Sequence, residues 1–229
     1  MKIKTTILGI IISLLLSSCI VYHPQTIDIP LISKKNDLRV DAGISVIPSA
    51  HATISYGLTN KISIQGFGSI GSDDRYYLQA ATGLFKKHNK NRVTELYGGY
   101  GYGHGDAFKD ANPGHFFGNY QLYFAQFNYG QIASENSNFE IGFGIKSGLF
   151  HSSLTDKNYF NVYSESGPFV TYHDNSILFE PAGFIRIGGK RLRFSVNLGG
   201  AILFKLTNTD KSIPNSYLNL GLGLNYRLE

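Results

Sequence analysis

The sequence predicts an all-β fold: a single antiparallel, up-and-down transmembrane β-barrel of about ten strands. Three observations predict it. After Asp37 the chain falls into ten runs with apolar residues at every second position, the period of a strand whose two faces meet different surroundings. The links between runs alternate short and long, as they do in barrels with tight turns at one rim and loops at the other. No stretch after Leu16 approaches the roughly 20 consecutive apolar residues of a membrane helix, and no helical pattern of useful length competes.

The chain opens with "MKIKTTILGIIISLLLSSC". Lys2 and Lys4 form a positive n-region and Ile7 to Leu16 an apolar h-region too short to span a bilayer, so residues 1–18 read as a signal peptide. Leu16-Ser17-Ser18-Cys19 resembles the lipobox of bacterial lipoproteins, and Cys19 is the only cysteine in the chain. That resemblance implies cleavage before Cys19 and lipidation of its thiol. Ile20 rather than Asp then favours the outer membrane over the inner. An ordinary signal peptide that happens to contain a cysteine is the plainer alternative. Residues 19–36 carry Pro24 and Pro30 and no sustained period, and read as an extended tether. Residues 37–229 are the barrel domain.

The runs follow in order. Leu38, Val40, Ala42, Ile44 and Val46 alternate with Arg39, Asp41, Gly43 and Ser45; Ala52, Ile54, Tyr56 and Leu58 alternate with Thr53, Ser55 and Gly57; Ile62 and Ile64 with Ser63 and Gln65. The fourth run, "RYYLQAATGLF", sets Tyr76, Leu78 and Leu84 against Gln79, Ala81 and Gly83, and the fifth, "TELYGGYGYG", sets Leu96, Tyr100 and Tyr102 against Glu95 and glycines. The sixth, "NYQLYFAQFNYG", mixes its faces, because Leu122 and Phe124 share a parity with Gln126 and Asn128. In the seventh Phe139, Ile141, Phe143 and Ile145 oppose Glu140, Gly142, Gly144 and Lys146. The eighth sets Phe179, Ile185 and Ile187 against Glu180, Ala182 and Arg186. The ninth runs unbroken from Leu192 to Lys205, and the tenth, "SYLNLGLGLNYRLE", places leucine at every second position. Pro181 lacks the N–H a ladder needs, which predicts a bulge in the eighth strand.

A soluble barrel also alternates, with its apolar face inside. Glycines on the polar face, aromatics near strand ends ("DRYYL", "GGYGYG", "GHFFGNYQLYF") and a near balance of charge on the polar face favour a lumen over a wetted exterior. The expected lumen network is Arg39, Asp41, Glu95, Glu140, Lys146, Glu180, Arg186, Arg193 and Arg227. With "ELYGGYGYG", "LYFAQFNYG", "ILFEPAGFIRIG" and "LGLNYRLE", the mature chain resembles the small outer-membrane barrels of Gram-negative bacteria, the OmpW- and OmpX-like class. The resemblance implies an outer-membrane location, outer-membrane lipid and lipopolysaccharide as surroundings, and the barrel-assembly machinery as a partner. The chain departs from the class in ending on Leu228 and Glu229 rather than an aromatic residue.

Removing the signal peptide lowers the formal charge from +5 to +3, and no basic run is interleaved with stacking aromatics, so nucleic acid is not an expected partner. One chemical candidate is His151 with Ser153, two apart on one strand face, a spacing that resembles the outer-membrane lipid A deacylases. A second, Asp73 and Asp74 with His173 and Asp174, resembles the omptin proteases loosely, but adjacent residues on a strand face opposite ways. His88, His104, His115, His151 and His173 show no ligand spacing, so no metal or cofactor is expected. "GYGYGHG" lacks the strand–turn–helix setting of a phosphate loop. The stretch from His151 to Ser176, with Tyr159, Phe160, Tyr163, Phe169 and Tyr172, reads as a long loop that lids the mouth or meets a partner. The expectation is a non-enzymatic outer-membrane lipoprotein barrel with a structural, surface-interaction or narrow-pore role. A lipid-tethered soluble barrel binding an apolar ligand is the alternative, and an outer-membrane lipid hydrolase the third.

Overall fold

A computed structural model describes residues 21–22, 29–72, 74–107, 116–134, 137–156, 170–207, 215 and 217–228. The alternating runs form β1 (Leu38–Ser45), β2 (Ser49–Gly57), β3 (Ile62–Gly71), β4 (Tyr76–Lys87), β5 (Arg92–Ala107), β6 (Phe116–Gln131), β7 (Phe139–Asp156), β8 (Val170–Gly188), β9 (Leu192–Gly200), β10 (Ile202–Lys205) and β11 (Leu218–Leu228). From β1 to β9 each strand pairs antiparallel with its neighbour in sequence, β9 pairs with β11, and β11 returns to β1, so the sheet closes. β9 and β10 both pair with β8 and are two halves of one strand, which makes the ring ten-membered, as the alternation predicts. Stepping through the ten pairings returns to β1 displaced by twelve residues. At about 3.3 Å per residue and about 4.8 Å between strands, that stagger tilts the strands by about 40° to the barrel axis and leaves a narrow lumen.

The bulge expected at Pro181 is not there. Ala182 faces Gly199 and Phe179 faces Ile202, three residues further along on both strands, so no residue has been inserted. What Pro181 costs is pairing: the ladder on that side lapses at Gly200 and Ala201, while the β7 side runs through Pro181 without a break. The missing N–H explains the gap. Ala201 keeps its own donor occupied on the Tyr217 carbonyl at 3.1 Å.

Alternation sorts the side chains, and the sorting is polar inside, apolar outside. Arg39, Gln65, Glu95, Glu140, Lys146, Glu180, Arg186 and Asn225 are buried, whereas Ile44 (62% exposed), Leu78, Leu84, Phe194 and Leu222 (43%) stand on the outer face. A soluble barrel with an apolar interior requires the reverse, and the leucines of β11 form no core. The strands are unequal. β1 to β3 have 8, 9 and 10 residues, β5 to β8 have 16, 16, 18 and 19. Consequently half of the expected loop from His151 to Ser176 is strand: β7 continues to Asp156 and β8 begins at Val170. Tyr159, Phe160, Tyr163 and Phe169 lie outside the described residues, as do Asp73 and His115.

Of the stretch read as a tether, the described residues 21–22 and 29–32 are buried against the inside of the barrel. Val21, Tyr22, Ile29, Leu31 and Ile32 are all buried. Ile29 and Leu31 pack with Val93, Ile132 and Phe184 of the wall. An extended segment without regular structure is tolerated there because lumen side chains take up its backbone groups, as the contacts below show.

Candidate functional site: the filled lumen

The lumen divides by depth. At the rim of short turns, where β1 begins and β11 ends, four arginines converge on one carboxylate. Arg39 donates to Glu140 through both terminal nitrogens, at 2.9 and 3.3 Å. Arg186, Arg193 and Arg227 each place a nitrogen 3.6–3.8 Å from the same carboxylate. Strand register brings them there: Glu140 faces Arg186 across β7–β8, and Arg39 faces Arg227 across β1–β11. Two further acids share the positive charge. Asp37 accepts from Arg227 Nε at 2.9 Å and Nη2 at 2.6 Å, and Asp41 lies 3.6 Å from Arg186 while accepting from Asn225 at 2.7 Å. Bidentate guanidinium–carboxylate geometry fixes direction as well as charge.

Midway up, Lys146 donates to Gln79 at 2.9 Å and sits 3.7 Å from Glu180. Glu95 accepts from Asn128 at 2.9 Å and Tyr97 at 3.3 Å. All nine residues expected in the lumen are buried there. Asp37, placed by sequence at the edge of the domain, joins them and brings five acids against the five cations of the network. Desolvated charges of one sign would cost several kcal/mol each, so a dry lumen of this kind requires near-neutrality.

Below the long loops the interior turns aromatic. Tyr77, Tyr97, Tyr120, Leu122, Phe124 and Phe150 form one buried cluster. Tyr120 stacks on Tyr77 at 5.8 Å and on Phe150 at 5.1 Å between ring centroids. This resolves the mixed parity of the sixth run: Leu122 and Phe124 share the inner face with Gln126 and Asn128 because the upper lumen is apolar and the lower ionic. The glycines of "GGYGYGHG" make the room. A Cβ at Gly99 would sit 2.6 Å from the Phe124 ring tip, and one at Gly101 or Gly103 would overlap the Tyr77 or Tyr120 ring. The aromatic runs near strand ends thus split between faces, with Tyr76, Tyr100 and Tyr123 exposed outside and Tyr77 and Tyr120 inside.

The described residues of the N-terminal segment dock on both layers. Tyr22 donates to Glu180 at 2.6 Å and meets Tyr120 and Phe150 edge-on. Further down, Arg186 donates to the Ile29 carbonyl at 3.0 Å, the Ile32 amide donates to Glu95 at 2.7 Å, and Arg227 donates to Ser33 Oγ at 2.7 Å. Gly130 and Gly144 leave space for it, since a Cβ at either would lie 2.7 Å from Leu31 and 3.0 Å from Ile29. Sequence reading missed Tyr22, Ile29, Leu31 and Ile32. The available signal was an apolar character unusual for a solvated linker.

Outside, the upper ends of β5 to β8 change from aliphatic to polar. His104 bonds Asn119 at 2.9 Å, His151 bonds Asn175 at 2.7 Å, and His151 stacks with His173 at 6.4 Å. His151 and Ser153 do share this outer face, and Ser153 pairs across the strands with His173, but His151 directs its Nδ1 to Asn175. His173 and Asp174 point to opposite faces, Asp174 inward with Thr207. His88 bonds Thr94 at 3.1 Å at the other rim. Among the described residues no cluster of three or more His, Cys, Asp or Glu could hold a metal ion. The short-turn mouth opens into a vestibule of about 540 Å³ lined by Lys34, Lys87, Lys190, Arg191, Arg193 and Arg227 among others.

No protein-family model matches the chain, and no curated protein matches it. Among solved structures, the chain is similar to the N-terminal β-barrel domain of Pseudomonas aeruginosa OprF at 15% identity and a TM-score of 0.37, over 85% of this chain and 98% of that one. It is similar to OmpT, an outer membrane protein of Vibrio cholerae, at 11% identity and a TM-score of 0.21, over 84% of this chain and 95% of that one. Likenesses at these scores carry nothing about function.

Proposed function

We propose that this protein is an integral outer-membrane β-barrel, lipid-modified at Cys19 and without enzymatic activity, whose filled lumen suits it to a structural or surface-interaction role rather than conduction. The observation that carries the reading is the inversion of the two faces. Isoleucine, leucine and phenylalanine ring the outside of the barrel while fourteen charged side chains among the described residues are buried. Exposed to water, such a belt would exceed by far the apolar patches that soluble monomers carry; against hydrocarbon it is the favourable face. About 9–11 residues of a tilted strand cross a bilayer, a length that β1 to β4 and β11 approach. The surplus of β5 to β8 begins where His104, Asn119, His151 and Asn175 replace aliphatic residues, at the level expected for lipid headgroups or lipopolysaccharide.

Two experiments test this. Cys19→Ala with an ordinary signal-peptidase site, washed in alkaline carbonate, stays in the outer-membrane pellet if the barrel is integral and leaves it if acyl chains are the sole anchor. In planar bilayers the full chain passes no steady current, whereas a chain lacking residues 21–33 conducts. Steady conductance by the full chain would restore the narrow-pore reading. Unchanged release of fatty acid from lipid A by wild type and His151→Ala, both at background, is the expected outcome for the non-enzymatic reading.

A further inference from the structure

The described residues of the N-terminal segment lie at two depths of the lumen, 29–34 towards the short-turn rim and 21–22 towards the long loops. Beside the start of β1, at the short-turn rim, the Lys34 carbonyl presses on Gly57 and Asp37 is held by Arg227. From there the chain runs inward past Ser33, Ile32 and Ile29. Val21 lies against Gly105, two residues from the loop end of β5, and Tyr22 forms a parallel bridge with Asn215 in the link that precedes β11. Ile32 and Val21 therefore meet β5 at Glu95 and Gly105, ten positions apart and about 33 Å along the strand at about 3.3 Å per residue. Between Tyr22 and Ile29 seven steps of at most about 3.6 Å cover about 25 Å, enough to carry the chain through the height of an apolar belt.

We propose that the chain is threaded through its own barrel, so that whatever precedes Val21 emerges at the long-loop mouth, on the opposite side of the membrane from the start of β1. The start of β1 and the end of β11 lie together at the short-turn rim. A lipid carried by Cys19, two residues before Val21, enters the leaflet on the loop side. The threading takes from the function proposed above only the identification of that side as the cell exterior.

The test uses full-length protein with one short epitope at a time: between Ile20 and Val21, between Asn158 and Tyr159 in the longest loop, and between Gly189 and Lys190 in a short turn. Antibody binding to intact and to permeabilised cells assigns each epitope to a side. Threading requires the N-terminal epitope to follow the loop epitope, with labelling of intact cells at least tenfold above that of the turn epitope. An N-terminal epitope that follows the turn epitope overturns it. If the turn epitope labels on intact cells and the loop epitope does not, the orientation proposed above is wrong, while threading is still judged by which of the two the N-terminal epitope follows. A second measurement covers the case in which no epitope separates the sides. In a Cys19→Ala background, Tyr22→Cys with Asn215→Cys places two thiols on bridged positions within disulfide reach. Threading predicts a reducible mobility shift in most of the folded protein, and its absence rejects threading.

Discussion

Replacing Glu140 by glutamine keeps the size of the side chain and removes the one charge that four arginines share. Arg39 loses a bidentate partner at 2.9 and 3.3 Å, and Arg186, Arg193 and Arg227 lose a carboxylate 3.6–3.8 Å away. Arg39 and Glu140 are both 0% exposed, so water cannot replace what is lost. At an effective dielectric of about 20, one pair at 4 Å is worth about 4 kcal/mol of Coulomb energy. Deleting one partner of a buried pair costs about 3–5 kcal/mol, because the remaining charge stays desolvated. Four guanidinium groups around one carboxylate put Glu140→Gln at the upper end, about 5 kcal/mol. Urea unfolding of protein refolded into lipid vesicles, followed by far-UV circular dichroism and by cold-gel mobility, reads this directly. With a slope of about 2 kcal/mol/M, the midpoint falls by about 2.5 M. Arg39→Gln combined with Glu140→Gln costs less than the sum of the two, by at least about 1 kcal/mol, since it removes a charge of each sign. A Glu140→Gln midpoint within about 0.5 kcal/mol of wild type would refute a dry, mutually neutralised cluster, and so would additivity of the pair.

Other outcomes follow from the same packing. Gly103→Val drives a side chain into the Tyr120 ring and costs about 3 kcal/mol or prevents assembly, seen as loss of the heat-modifiable band; Gly98→Ala, on the exposed face with its nearest contact at 4.0 Å, leaves that band unchanged. Leu222→Arg, at mid-height on the outer face of β11, costs about 2–4 kcal/mol in vesicles, while Leu228→Arg at the short-turn rim costs about 0–1 kcal/mol. Equal costs at the two positions would contradict a lipid-facing belt. Tyr22→Phe removes the 2.6 Å donor to buried Glu180 and costs about 1–3 kcal/mol by urea titration; no change would mean that Tyr22 does not dock in the lumen.

Some elements were legible in sequence and others were not, for local physical reasons. β7 and β8 are longer than their alternation because above the apolar belt both faces are polar. His151, Ser153 and Asn175 on the outside then oppose Ser152, Asp174 and Ser176 on the inside, and the pairing persists after the hydrophobic signal has gone. Pro181 looked like an inserted residue, yet the register absorbs it, because a lost N–H interrupts only the side it would have faced. Leu122 and Phe124 looked misplaced, and Phe67, Tyr77 and Tyr120 show why they are not: the upper lumen is a core.

The sequence by itself determined the strands, their order, which residues face in, and the unequal rims. A strand's two-residue period and the chemistry of its turns are written locally, and closure leaves nearest neighbours little freedom. Only the tertiary structure decided that Glu140 sits among four arginines, that Asp37 belongs to that cluster, and that Tyr22, Ile29, Leu31 and Ile32 are buried in the lumen. Partners that meet across a barrel are set by tilt and stagger summed over ten strands, which no local pattern carries. An aperiodic segment has no face of its own until the lumen supplies carboxylates, guanidinium groups and glycine clefts to receive it.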